Sequence, residues 1–483
     1  MSYEEQNTLV RSTLPGQGVF RSRNECLRVW IDNLAFWFPR RVFLKARKSE
    51  AVEQRMRLPP WISAALYRIP SSACSSGPTV SSAMEMEKAA FNPKKILILS
   101  KVTRYEFEHK TNLGVKESQL EEILRRRGSD FSRLKSKHEQ HHDFVRAIEN
   151  ELNRAGIQTR VVQRMDYNDA MVRWADCIVS AGGDGTFLLA ASRVRDCNKP
   201  VIGINTDPSG SEGYMCLMRK CSKDHIRPAF DRLFNGDFEW LYRQRIRISL
   251  TGDESLPDAI ELHDQQMNRK PSISRWSDNP REPGDVSPQY EPPPTKRILR
   301  NGSGERVAID LPVLALNEVF IGESLSSRVS YYELKVDSEK TVKQKSSGLT
   351  ICTGTGSTSW YFNINKLTDQ CVADLLKIVQ ERCKVELPST DKAVISDVCT
   401  TFNRKLIFEP NRPQMAFCVR DPVFNATFLP SAPRGFAEKI RVKSRGYDAH
   451  LVVDGGVSYR FNDGAEALLE VREQDALRTV VFR

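Results

Sequence analysis

The apolar residues of this chain change their period part-way along it. After residue 90, short unbroken apolar runs alternate with helix-like stretches. The runs at residues 94–100 (KKILILS), 177–179 and 201–204 suit strands buried on both faces of a parallel sheet, and residues 159–162 form another strand candidate. Between them, residues 117–127 read as a polar helix. Phe144, Ile148 and Leu152 fall four apart within 143–155, one face of an amphipathic helix, and Gly156 supplies a left-handed stop. Residues 187–194 read as a further helix. Strands alternating with helices predict βαβ units and a parallel sheet. Downstream the period drops to two. Arg245, Ile246, Arg247 and Ile248 alternate, as do Tyr332, Leu334 and Val336, and later Ile440 and Val442. Residues 313–321 and 451–453 also read as strands, so this half is β-rich. Residues 364–384 and 389–404 look helical, a helical excursion over 364–404.

Those patterns divide the chain. Residues 92–238 are expected to form an α/β Rossmann-like domain. Residues 239–483 form a β-rich domain, interrupted at 264–305 by a stretch with seven prolines expected to be a disordered insertion. Residues 1–91 do not read as a domain. From Gln54 to Met84 there is no acidic residue, while Arg57 and Arg68 stand among Ala, Ser, Leu and Pro. That composition suits a mitochondrial presequence, with Met56 as an alternative start.

At 483 residues the length allows about three domains. Lys and Arg number 72 against 61 Asp and Glu, a net charge of +11, yet no nucleic-acid motif accompanies the charge. No run of 18 apolar residues occurs, so no membrane partner is expected. Eleven scattered cysteines without a C-x-x-C pair argue against a disulfide framework or structural zinc, and for a reducing compartment.

Candidate chemistry concentrates in glycine-rich turns. Gly182-Gly183-Asp184-Gly185-Thr186 follows a strand and precedes a helix. Backbone amides there make an anion site, and Asp184 can accept a proton or help to hold a cation. A structural turn with Asp184 capping the helix is the plainer alternative. Thr353-Gly354-Thr355-Gly356-Ser357-Thr358-Ser359-Trp360 packs hydroxyls and amides suited to phosphate and ribose oxygens, without the lysine of a Walker loop. Asn317-Glu318 places two polar residues inside an apolar strand, where they need partners or a ligand. His138-Glu139-Gln140-His141-His142 matches the zinc-protease pattern H-E-x-x-H, but its flanks are charged and no downstream third ligand stands out. It is expected to be a solvated helix start.

Taken in order, GGDGT, Asn205-Thr206, Asn317-Glu318, the T-G-T-G-S-T run and Asp454-Gly455-Gly456 resemble the NAD kinase family, and within it the mitochondrial animal branch. The resemblance runs over about residues 92–483, the Pro-rich stretch apart. It implies a cleft between the α/β and β-rich domains, an ATP-dependent transfer of phosphate to the 2′-hydroxyl of the adenosine ribose of NAD, Mg²⁺ carried with ATP, and a homodimer. It implies Asp184 as the catalytic base. It places NAD contacts at Gly185, Asn317, Glu318, Thr358, Ser359 and Trp360. It places phosphate or ATP contacts at Lys101, Gly182, Gly183, Thr186, Asn205, Thr355, Gly356 and Ser357, with no metal held by the protein alone. The chain departs from the family pattern at Gly354 (usually Pro), at Ser347 (usually Asp) and at Asp207-Pro208 (usually Gly-Arg). A lipid or sugar kinase sharing GGDGT and a non-catalytic dinucleotide-binding regulator are the competing readings.

Overall fold

The unbroken apolar runs pair in parallel. In the structure, a computed structural model that describes residues 91–251, 259–262, 295–301 and 304–482, β1 (Lys95–Ser100), β2 (Gln158–Val162), β3 (Cys177–Ala181) and β4 (Val201–Ile204) form a four-stranded sheet. Its order is β2-β1-β3-β4. All of β3 and β4 is buried, which is why these strands show no alternation. The helices are α1 (Arg104–Thr111), α2 (Glu117–Arg126), α3 (Phe131–Arg154), α4 (Asp169–Trp174), α5 (Asp184–Ser192) and α6 (Ile226–Phe234). Ile96 and Ile98 pack against Phe144, Ile148 and Leu152 of α3, while Leu97 and Leu99 face Val172 of α4 and Phe187 of α5. Each such fully buried side chain contributes about 1.5–3 kcal/mol relative to exposure. Gly156 takes φ +75° beyond α3 and donates to Asn153 O, while Ile157 N–H reaches Leu152 O, a Schellman stop. The chain leaves β1 for β2 on one side, and β3 flanks β1 on the other. Their C-terminal ends therefore border a crevice, where ligands of such sheets bind.

The second half supplies β5 (Glu239–Arg243), β6 (Ile246–Thr251), β7 (Ile260–Glu261), β8 (Thr295–Asn301), β9 (Gly304–Asp310), β10 (Glu318–Glu323), β11 (Ser330–Val336), β12 (Val342–Ser346) and β13 (Leu349–Cys352). The helices α7 (Trp360–Asn365), α8 (Asp369–Cys383) and α9 (Lys392–Arg404) follow. Then come β14 (Met415–Val419), β15 (Arg434–Ala437), β16 (Lys439–Ser444), β17 (Ala449–Val453), β18 (Val457–Arg460), β19 (Glu466–Val471) and β20 (Leu477–Val481). Two seven-stranded antiparallel sheets result, β15-β14-β13-β10-β17-β18-β7 and β12-β11-β16-β19-β6-β9-β8. Their inner faces share one core, in which Ile246 and Ile248 of one sheet meet Val319 and Ile321 of the other. β20 returns to pair with β5.

Several expectations change. The strand expected at 313–321 begins only at Glu318, because residues 311–317 cross to the other sheet through a bridge between Ala315 and Ile246. Residues 295–301 and 304–305 lie in the antiparallel pair β8–β9 and not in a structureless insertion; the rest of that insertion lies outside the described residues. The whole presequence region does too, save residue 91. The histidine run does not open a helix. It lies within α3, which starts at Phe131, and His141 is completely buried. Period-two reading would put Arg245 on a wet face, yet it is 1% exposed. Its Nε donates to Asp475 O at 2.5 Å and Nη1 bonds Ala191 O and Val194 O, tying the end of α5 to the β-rich half. Leu316 and Leu477 add to the core on the α5 side of the parallel sheet. Among the described residues no helix is long and apolar enough to cross a membrane.

Candidate functional site

β3 ends at Ala181 and GGDGT turns directly into α5. Gly182 N–H donates to Ile204 O and Lys101 N–H to Ala181 O, so three strand ends are laced together. A Cβ on Gly182 would stand 2.2 Å from Thr186 Oγ1 and 3.2 Å from Lys101 Cβ, which is why glycine is required there. Asp184 opens α5, with Gly183 as its N-cap. Its two carboxylate oxygens accept from Tyr214 N–H at 3.0 Å and Met215 N–H at 2.8 Å. These bonds orient the carboxylate and use about half of its acceptor capacity.

The next loop is held from within. Asn205 Nδ2 donates to Ser211 O and Arg219 O, and Oδ1 accepts from Asp207 N–H. Asn205 is therefore engaged with its own loop. Thr206 Oγ1 bonds His141 Nδ1 at 2.9 Å, and His141 Nε2 bonds Ser100 Oγ at 2.8 Å. Burial, followed by the charge of Lys101, drops His141 to about 3, so this link is a neutral one. Asp207 sits between Lys101 (3.9 Å) and Lys137 (3.0 Å). Burial opposes its ionisation, but the bond to Lys137 and the two cations prevail and hold it below the ordinary range. Lys101 is in turn lowered by burial, against the pull of Asp207. Where the family pattern has Gly-Arg, this chain has an acid that spans two lysines.

The second turn meets the Asn317-Glu318 pair backbone to backbone. Thr353 N–H donates to Asn317 O at 3.0 Å, and Thr353 Oγ1 donates to Leu316 O. Ser357 Oγ donates to Gly354 O at 2.6 Å and accepts from Phe408 N–H at 3.2 Å, an internal role. Thr358 Oγ1 donates to Thr355 O. Ser359 precedes α7, whose first residue Trp360 packs on Phe320 at 5.1 Å and under Arg420 at 4.9 Å. The departure at Gly354 has a local cause. A Cβ there would lie 2.0 Å from Glu409 O, so neither proline nor alanine fits.

Asp454, in the left-handed region at φ +48°, accepts from the N–H groups of Leu316, Asn317 and Glu318 at 2.8–3.0 Å. Burial raises its carboxyl to about 6 despite those three bonds. The same three bonds fix the Asn317-Glu318 backbone. Their side chains have polar atoms without partners: Asn317 Oδ1 and Glu318 Oε2 are buried and bond to no other group. Burial first, and the charge of Asp454 second, push Glu318 up to about 8.

Arg243 connects the two glycine turns. Its Nη1 donates to Thr355 Oγ1 at 3.3 Å, its buried Nε has no partner, and it feels the charge of Asp184; burial lowers it to about 10. The structure groups Lys101, Gly182, Gly183, Asp184 and Thr186 around the first glycine turn, and Asn317, Glu318, Thr355 and Gly356 around the second. Asn205 and Ser357 serve the loops beside these turns, and Trp360 stands with Phe320 and Arg420. Sequence reading missed Arg243, Lys137 and the anchoring role of Asp454. Only Asp454 carried a signal, as an acid in a D-G-G turn.

A family model, "ATP-NAD kinase N-terminal domain", matches residues 41–238. The chain is 43% identical over 400 residues to "NAD kinase 2, mitochondrial" of Homo sapiens, covering 81% of this chain and 85% of that one. It is 41% identical over 410 residues to the protein of the same name from Xenopus tropicalis, covering 81% and 91%. A solved structure, yeast NADH kinase complexed with NADH, overlaps 81% of this chain and 84% of its own at 13% identity, with a TM-score of 0.43.

Proposed function

This chain belongs to the NAD kinase family, and we propose that the cleft between its two glycine turns is where it phosphorylates NAD. The enzyme is an ATP-dependent NAD kinase, and its relatives' mitochondrial names agree with the acid-poor stretch at residues 54–84. The observation that carries the siting is the pair of unpartnered buried atoms, Asn317 Oδ1 and Glu318 Oε2. Buried polar atoms without partners are costly, and the amino, hydroxyl and ring-nitrogen groups of an adenosine would satisfy them. Asp184, in the first glycine turn, takes the 2′-hydroxyl proton as that oxygen bonds the γ-phosphorus of ATP and the bond to the β,γ-bridging oxygen breaks, releasing ADP. Its two backbone N–H bonds orient the carboxylate and leave lone pairs to receive the proton. The amide of Gly183, with Lys101 and Arg243, stabilises phosphate charge, while the Gly182 N–H is spent on Ile204 O and that glycine serves by its lack of a side chain. Gly185, Thr186, Thr358, Ser359 and Trp360 border the dinucleotide in this reading.

Mg²⁺ fits as an ion that arrives on ATP. Asp207 is taken by two lysines and Asp184 by two amides, so no all-carboxylate cage stands here, and magnesium commonly binds through phosphates and water. It supplies neutralisation of the polyphosphate charge. The family resemblance further supports a homodimer.

The full chain, given NAD and MgATP, is expected to form NADP. NAD binding without turnover would favour the regulator, and phosphorylation of diacylglycerol in place of NAD would favour a lipid kinase.

Glu318 makes a second measurable statement. A carboxyl whose folded value is about 8 against an ordinary 4.5 binds its proton more tightly in the folded chain. The stability this gives is complete below about pH 4.5 and is lost as pH rises through about 8. Glu318→Gln cannot ionise, so it should flatten the decline toward pH 8. Urea midpoints across that range check this; parallel declines in both proteins would refute it.

A further inference from the structure

We propose that Glu106, His138 and His142 form a zinc site that clamps α1 onto α3. The sequence motif H-E-x-x-H lacked a third ligand downstream, and the fold supplies one from upstream. His138 and His142 lie one turn apart on α3 with ring centroids 4.3 Å apart. Glu106, from α1, comes in beside them, and one ligand atom from each of the three lies within 4.8 Å of the others. His142 Nε2 and Glu106 Oε1 are 3.1 Å apart. Two ligands about 2.0 Å from a tetrahedral zinc stand about 3.3 Å apart, so this edge already has the required length.

The hydrogen-bond polarity prepares the ligands. Thr103 Oγ1 donates its one proton to Glu106 Oε2 at 3.1 Å and accepts from Glu106 N–H. With that proton given to the carboxylate, the contact with His138 Nδ1 at 2.9 Å is one in which the imidazole donates. In that tautomer His138 Nε2 carries the lone pair a metal needs, with Nδ1–H fixed by an outer partner. The carboxylate is divided in the same way. Oε2 is held by the N–H and hydroxyl of Thr103, completing the capping box of α1. Oε1 faces His142 and accepts from Gln163 Nε2 at 3.1 Å. On binding, zinc takes the place of the His142 Nε2 proton, which moves to Nδ1 of the same ring so that His142 binds as a neutral imidazole, and water completes four-coordination. Two imidazoles and one carboxylate select zinc over magnesium. Because α1 begins three residues after Lys101, the ion would stiffen the segment that presents that lysine.

The test strips the full chain with a chelator and titrates it with Zn(II), then with Co(II) as a spectroscopic stand-in. Expected are one ion per chain, a higher Tm with zinc, the intense visible absorption of four-coordinate Co(II), and no such rise in Tm with Mg(II) alone. Glu106→Gln keeps a cap acceptor, and His142→Gln keeps a polar side chain; each should weaken zinc at least about tenfold. Glu139→Gln, on the exposed side of α3, should not. Absence of stoichiometric zinc in the parent chain overturns the proposal. So does equal affinity in the two ligand variants.

Discussion

Asp184→Asn is expected to lower NADP formation by about 10²–10⁴-fold while leaving the protein folded. Asparagine has the same shape but cannot take a proton from a ribose hydroxyl. It also changes the local bonding, because Tyr214 N–H and Met215 N–H both donate to the native carboxylate. An amide offers only one oxygen, so one of these donors would face an NH₂ group. Losing that bond costs about 1–3 kcal/mol, enough to lower Tm but not to unfold a chain of this size. Loss of turnover with NAD binding and circular dichroism retained supports the base assignment. Unchanged turnover would remove Asp184 from that role. Asp184→Ala is a poorer probe, since it strands both N–H groups and confounds chemistry with loop position.

Gly356→Ala should damage stability and NAD binding together. A Cβ at this position would lie 2.1 Å from Asn317 O, 2.6 Å from its carbonyl carbon and 2.9 Å from its Cα. All three atoms are backbone, and that backbone is held by Thr353 N–H on one side and Asp454 on the other. The new methyl cannot be relieved by a rotamer change. Either the Thr353–Trp360 turn or the Asn317-Glu318 pair must move, at a cost of about 1–3 kcal/mol or more. We expect the KM for NAD to rise at least about tenfold, which is about 1.4 kcal/mol of binding. Gly185→Ala separates the two effects. Nothing lies within 4 Å of where its Cβ would stand, and its φ is not positive, so stability should hold whatever happens to activity. A Gly356→Ala protein with native Tm and native KM would show that the close approach does not matter.

The parallel-sheet strands were legible because burial on both faces leaves an unbroken apolar run, as in β3 and β4. The amphipathic part of α3 was legible for the complementary reason: Phe144, Ile148 and Leu152 repeat at the helical period and Gly156 ends it. The first two turns of α3 were not, since Phe131–Lys137 is mostly polar and has no apolar periodicity. Residues 313–317 carried a strand-like composition, yet they are apolar because they pass between two sheets, not because they extend one. Burial alone does not distinguish the two.

The order of an α/β part and a β-rich part, the three glycine or acid turns and the family to which the chain belongs could all be read in the sequence. These are local: a turn needs glycine where the backbone comes close, and a strand needs apolar residues where it is covered. Tertiary structure decided what the polar residues do. Arg243 lies against Thr355 and Arg245 against the end of α5, although the sequence separates these partners by 112 and about 50 residues. Asp454 anchors a strand 136 residues away, and Glu106 meets His142 across two helices. A charge has no period, and its role is set by whichever group the fold brings within hydrogen-bond reach.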